Sequence, residues 1–150
     1  MDGTSCTIYH IGGKVGVCGR NHEYKEDPET CSMWAYVYKI GLKDKLLALG
    51  ESIVLQGEFC GQGIQKNPLQ LIEPKLFVFE LIKSGENQRL TKCGLADIQS
   101  YCERLGIDSV PIEEIGDSFS YTLPELLEKA RGKYPSGRDK EGIVIRTQEF

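Results

Sequence analysis

The stretch LQGEFCGQGIQ, residues 55–65, decides how the rest of the chain is read. It begins as an apolar strand, carries one carboxylate, Glu58, and runs into a turn rich in glycine (Gly57, Gly61, Gly63). A carboxylate set among strand residues is costly to bury unless a partner meets it. Glycines let backbone come close to a ligand. The combination asks for a ligand bearing hydroxyls or phosphates. Taken alone, the stretch is better read as a half-exposed Glu on a strand followed by an ordinary turn, so the surrounding sequence has to decide.

Its neighbours are strands. Residues 52–60 form the one that holds Glu58, and residues 75–82 (KLFVFELI) form an apolar, aromatic-rich one. Near the start, residues 5–11 alternate loosely and residues 14–18 return, with Gly12-Gly13 as a hairpin signal. Between these blocks, residues 31–49 keep helical spacing through Trp34, Val37, Tyr38, Leu42, Leu46 and Leu49. Gly41 predicts a break there and Gly50 a stop. Helices are also predicted over residues 95–105, ending at Gly106, and over 123–130, with Pro124 in the first turn. Residues 110–112 read as extended, 131–140 as a polar, basic loop and 141–147 (EGIVIRT) as a strand that opens on a carboxylate. β-rich and helical parts follow one another without regular βαβ alternation, which predicts an α+β fold with antiparallel sheets.

Bulk properties narrow the function classes. At 150 residues and 40% hydrophobic the chain is long enough for one domain with a real core. A net charge of -4 argues against a whole-surface nucleic-acid coat but leaves room for a local basic groove. No apolar run is long enough for a membrane span and no signal peptide is visible. The six cysteines contain no CxxC pair and the two histidines, His10 and His22, add no zinc spacing. Cys6, Cys18 and Cys60 fall in apolar strand-like runs and read as reduced, buried thiols, which points to a cytoplasmic chain. His10 and His22 read as strand or surface residues, and Trp34, Tyr36 and Tyr38 as helix packing and surface. The chain opens at once on strand chemistry and stops on a strand (EGIVIRTQEF), so both ends read as cut from something longer.

Four items line up in order: Asp2-Gly3-Thr4-Ser5 leading into a strand; Gly19-Arg20-Asn21 after the next; Gly57-Glu58 followed by Phe77-Val78-Phe79-Glu80; and Glu141-Gly142-Ile143-Val144-Ile145-Arg146. Each is weak alone. In this order they resemble the motifs of covalent nucleotidyltransferases, the ATP-dependent ligases and capping enzymes. The resemblance is closest to RNA ligases of the T4 RNA ligase 2 type, and the run GEFCGQGIQ is its most specific part. It spans residues 2–146.

The resemblance implies an ATP-grasp-like nucleotidyltransferase domain, with two antiparallel sheets flanked by helices and nucleotide between them, occupying residues 1–150 in partial form. It implies an ATP-dependent joining of RNA 5′-phosphate and 3′-hydroxyl ends through lysyl-AMP and RNA-adenylate intermediates. Positioning and charge neutralisation dominate such phosphoryl transfer, so ATP and Mg2+ or Mn2+ are the implied cofactors. RNA ends or nicked RNA duplex are the implied partners. Asp2 and Gly3 would belong to the KxDG motif. Arg20 would contact phosphate or the RNA end, with Asn21 ordering its loop. Glu58 would accept hydrogen bonds from the ribose hydroxyls. Phe79 would stack on adenine with Glu80 beside it, Ser5 would lie on the nucleotide, and Glu141 would bind or position the metal. Phe77 and Phe79 share one face of their strand, so either could stack. The chain departs from the pattern at both ends: Met1 stands at the x of KxDG, so the lysine would precede it, and Phe150 comes before any second lysine motif. These residues alone are therefore expected not to adenylylate themselves, and a non-catalytic nucleotide- or RNA-end-binding homologue is the alternative. The cluster Arg131, Lys133, Arg138 and Lys140 reads as an RNA path or as a solvated loop.

Overall fold

A computed structural model describes residues 1–147. The hairpin of β1 (Thr4–Ile11) and β2 (Lys14–Cys18) is followed by α1 (Ser32–Lys39), α2 (Leu42–Leu49), β3 (Ile53–Cys60) and β4 (Lys75–Ser84). Then come β5 (Leu90–Lys92), α3 (Leu95–Leu105), β6 (Asp108–Ser109) and α4 (Leu123–Ala130). Gly41 and Gly50 adopt positive φ (66° and 69°) and bound α2, which is why one apolar periodicity yields two short helices rather than one.

The strands form one six-stranded sheet in the order β2-β1-β3-β4-β5, with β6 also paired to β4. All pairings are antiparallel except β4 with β6, which is parallel. The class is therefore α+β, as the segment order predicts. A second sheet is not present among the described residues. Residues 141–147, predicted as a strand, run as irregular chain; residues 148–150 lie outside the described residues. β5 and β6 are too short and too polar to be read from periodicity.

One face of the sheet carries the core. Cys6, Ile8, Leu55, Phe59, Leu76, Val78 and Leu81 point to it and meet Trp34, Val37, Leu42, Leu46, Ile98 and Leu105 from the helices. His10 is buried there too, with Nδ1 2.6 Å from the Glu51 carbonyl oxygen. Among the described residues every buried side chain of this core lies between Cys6 and Ile107. α4 buries none of its residues. The first two thirds of the chain are thus a packed unit, and residues 108–147 are laid over its surface.

Candidate nucleotide face

The opposite face of the sheet is polar and half open, and the strand pleat decides what it displays. Residues of one strand alternate between faces, so Cys6 and Ile8 facing the core leave Ser5, Thr7 and Tyr9 outside. Likewise Leu55 and Phe59 facing the core leave Gln56 and Glu58 outside. The register places Ser5 opposite Glu58 on β3, and Glu58 opposite Phe77 on β4. Ser5, Glu58 and Phe77 therefore form one row across three strands.

A β-bulge breaks the next row. Gly57 pairs with Val78 and Gln56 with Glu80, so Phe79 is the extra residue of β4. Such an insertion lets two successive side chains emerge on the same face. Val78 and Leu81 are buried, whereas Phe79 and Glu80 are not. Phe77 stands beside Glu58, and Phe79 and Glu80 follow it outside the core, level with Gly57 and Gln56. Gly57 is required at the bulge: a Cβ there would lie 2.4 Å from the Phe77 carbonyl oxygen. Gly61 similarly leaves room for Pro74, whose Cα would be 2.5 Å from an added Cβ. These two glycines were expected to admit a ligand; what they admit is the chain's own backbone.

The end of this face is closed by residues far apart in sequence. Gly3 N–H donates to Glu58 Oε1 at 3.2 Å, which brings Asp2-Gly3 against the carboxylate. A Cβ on Gly3 would meet the Phe59 carbonyl oxygen and the Cys60 sulfur, both at 2.6 Å. Glu141 Oε2 lies 2.5 Å from the Met1 amino nitrogen. Burial pushes the Glu58 carboxyl up from its ordinary value; Glu141 and Asp2 push it the same way, and the Gly3 N–H opposes them. Burial also holds the Cys60 thiol at about 11, so it is no nucleophile at neutral pH. Asp2, Glu58 and Glu141 thus share one neighbourhood, yet no group of three or more such residues among those described could hold a metal ion by itself.

Arg20 is exposed at the tip of a tight turn in which Gly19 N–H donates to the His22 carbonyl at 3.0 Å. β2 runs antiparallel to β1, so this turn lies at the Asp2–Ser5 end of the sheet, the end that also carries Glu58 and Phe77. No contact joins Arg20 to Glu58. Asn21, expected to order that loop, is exposed at its tip.

The contacts of three residues escaped the sequence reading. Lys92 reaches across from β5 to Glu80 Oε1 at 2.7 Å, so Glu80 already has a cationic partner. Arg146 lies over Phe79. The Tyr134 hydroxyl, raised by burial, feels the charges of Glu141 and Asp2. A strand of three residues gave no signal for Lys92, and nothing in EGIVIR showed that its arginine would fold back onto β4.

The basic loop resolves toward local pairing. Arg131 meets Glu128 at 3.3 Å, Lys133 meets Asp139 at 2.8 Å and Lys140 meets Glu113 at 2.6 Å, while Arg138 donates to the Lys66 carbonyl at 2.8 Å. The last bond, with Ser136 donating to the Pro68 carbonyl at 2.5 Å, pins this loop onto the Gly-rich one after Glu58. Two surface clefts are lined by neither Glu58 nor Phe79. One of about 460 Å³ opens beside Thr4 and Tyr24, and one of about 600 Å³ lies at the far end of β4. No helix among the described residues is long and apolar enough to cross a membrane.

Known proteins resemble the chain in both sequence and fold. The family model described as RNA ligase matches residues 1–150. No curated protein matches. Among solved structures, the chain is similar to Naegleria gruberi RNA ligase in several states. A point mutant with ATP and Mn gives a TM-score of 0.83 at 26% identity, covering 95% of this chain and 43% of that one. A point mutant with AMP and Mn gives 0.82 at 26% identity, with coverages of 95% and 43%. The protein with PPi gives 0.82 at 26% identity, with coverages of 95% and 42%. The chain spans less than half the length of these structures.

Proposed function

The chain belongs to the RNA ligase family, and from that premise we propose that its residues form the nucleoside-binding part of an ATP-dependent RNA ligase domain. The observation that carries this reading is the convergence on one open face of Glu58, the bulge-exposed Phe79 and the Asp2-Gly3 segment, with Glu141 at its edge. The solved relatives' complexes with ATP, AMP and PPi support the same class of ligand.

Each residue then has a chemical task. Glu58, held by the Gly3 N–H, keeps its second oxygen for the ribose hydroxyls; a charged acceptor makes such bonds stronger than neutral ones. Phe79 offers its ring to adenine. Ser5 sits in the row beside Glu58, within the footprint of the sugar. Glu80, paired to Lys92, presents a neutralised edge next to Phe79 rather than a bare carboxylate. Arg20, at the same end of the sheet, meets the phosphates or the RNA end. A divalent cation is commonly bound through one or two carboxylates plus substrate phosphates. The exposed Glu141 suits that arrangement, and the ion would supply neutralisation of the phosphate charge.

The amine that would attack the α-phosphorus is not among these residues in the KxDG position. A polypeptide of these 150 residues therefore binds ATP without becoming adenylylated. Intact mass after incubation with ATP and Mg2+ or Mn2+ tests this: the expected mass is unchanged, and an added AMP would overturn it. Binding is tested separately by thermal melting. At a hundredfold excess of ATP over its Kd, stabilisation of about 2.7 kcal/mol is expected. No shift at saturating ATP would remove the nucleotide face altogether.

A further inference from the structure

The ring assigned to adenine is already covered. The Arg146 guanidinium carbon lies 5.3 Å from the Phe79 ring centroid. Its Nη1 donates to the Phe79 carbonyl oxygen at 2.8 Å and stands 3.9 Å from Glu80 Oε1. Backbone, ring and carboxylate contacts all fall on one pair of adjacent residues, so they fix the guanidinium above the ring rather than leaving it to wander. Glu80 in turn is held by Lys92, which keeps that carboxylate in place.

Adenine stacks on a phenyl ring at the ordinary contact separation of flat groups, about 3.5 Å. Placing a purine between Phe79 and a stacked guanidinium would need about twice that, roughly 7 Å, from ring to cation. The observed 5.3 Å is too small. Nor can the cation lift away while it keeps its hydrogen bond to the carbonyl of the same residue. Guanidinium and purine are therefore alternatives on the exposed side of Phe79.

We propose that Arg146 is a plug of the adenine site, which covers Phe79 when nucleotide is absent and must swing away before adenine can stack. This rests on the assignment of Phe79 to adenine made above.

Adenosine is the right probe, because it has no phosphates for an arginine to attract. The plug is held by an exposed cation–π contact and surface hydrogen bonding, each weak. Replacing it in Arg146→Ala is expected to tighten adenosine binding about three- to tenfold, measured by a protein-observed NMR titration that reaches millimolar ligand. Arg146→Gln, which keeps a planar donor without the charge, should fall between the two. Arg146 is a surface side chain, and the melting temperature of each variant reports whether the fold is intact. Equal or weaker adenosine binding by both variants overturns the plug. Phe79→Leu separates this from the underlying reading. If it weakens adenosine while Arg146→Ala fails to tighten it, the plug alone is wrong. If Phe79→Leu changes nothing, or if no protein binds adenosine, the adenine assignment falls and the plug with it.

Discussion

Replacing Glu58 by Gln isolates the charge of one side chain while keeping its shape. In the folded chain, Glu58 Oε1 accepts from Gly3 N–H at 3.2 Å, and an amide oxygen can do the same. The variant loses a charged acceptor, worth about 1 kcal/mol more than a neutral one. It also sheds the cost of half-burying a carboxylate, the main cause of its raised pKa. The two terms oppose each other, so the melting temperature should move by only about 3 °C in either direction. Ligand binding has no such offset. The amide oxygen still accepts, so a ribose hydroxyl bond loses only the difference between a charged and a neutral acceptor, about 1 kcal/mol, which is about fivefold in Kd. The assay is calorimetric titration of both proteins with ATP and with 2′-deoxy-ATP, read as a cycle. Glu58→Gln should weaken ATP by that factor but weaken the deoxy nucleotide markedly less, because one hydroxyl is already gone. Equal loss for both nucleotides would show that Glu58 acts on something other than the ribose 2′-hydroxyl. No loss for either would remove Glu58 from the site.

Three further outcomes follow from the same geometry. Gly3→Ala puts a methyl 2.6 Å from the Phe59 carbonyl and the Cys60 sulfur, so the first residues must peel from β3 and release Glu58; a loss of about 1–3 kcal/mol in urea melts, with weakened ATP binding, is expected, and unchanged binding would refute the docking role of Asp2-Gly3. Gly57→Ala drives a methyl to 2.4 Å from the Phe77 carbonyl and should part β3 from β4 at the bulge, lowering the melting temperature by about 5–10 °C; a variant that melts with the parent would mean that the bulge is not needed. The raised Glu58 pKa sets a pH dependence: above that pKa the carboxylate is charged and binds ribose, and affinity falls as pH drops through it, above the ordinary 4.5. The stability linkage has the opposite sense, since a group whose folded pKa is raised contributes stability below its unfolded pKa and loses it as pH rises through the folded value. Adenosine affinity between pH 4 and 7 should therefore slope in the parent and stay flat in Glu58→Gln.

What the sequence made legible follows from how local each signal is. α3 and β2 occupy the predicted residues because Gly106 and the Gly12-Gly13 turn punctuate strong periodic runs. The row Ser5–Glu58–Phe77 was within reach for the same reason: alternation fixes which side chains share a face once the strands pair. The bulge was not, because an extra residue in a ladder leaves no mark on either strand alone. KLFVFELI read as plain alternation puts Phe77 and Phe79 outside but turns Glu80 into the core, where a carboxylate would be costly. The bulge resolves that conflict, and the one residue that permits it, Gly57, sits beside Glu58. The glycine that looked like part of a ligand-binding turn is a packing residue whose effect is to aim Phe79 and Glu80 at the face where Glu58 stands. The second sheet failed for the converse reason. EGIVIRT has strand propensity, but a strand needs a ladder partner, and here the segment runs as irregular chain, tied by Glu141 to the Met1 amino group and by Arg146 to β4. With Val144 at 81% exposed and Ile145 at 54%, the segment's apolar side chains buy no burial here. Glu141 itself is held by the Met1 amino group, and the end of its segment by Arg146 on Phe79, so side-chain contacts rather than a ladder position this segment.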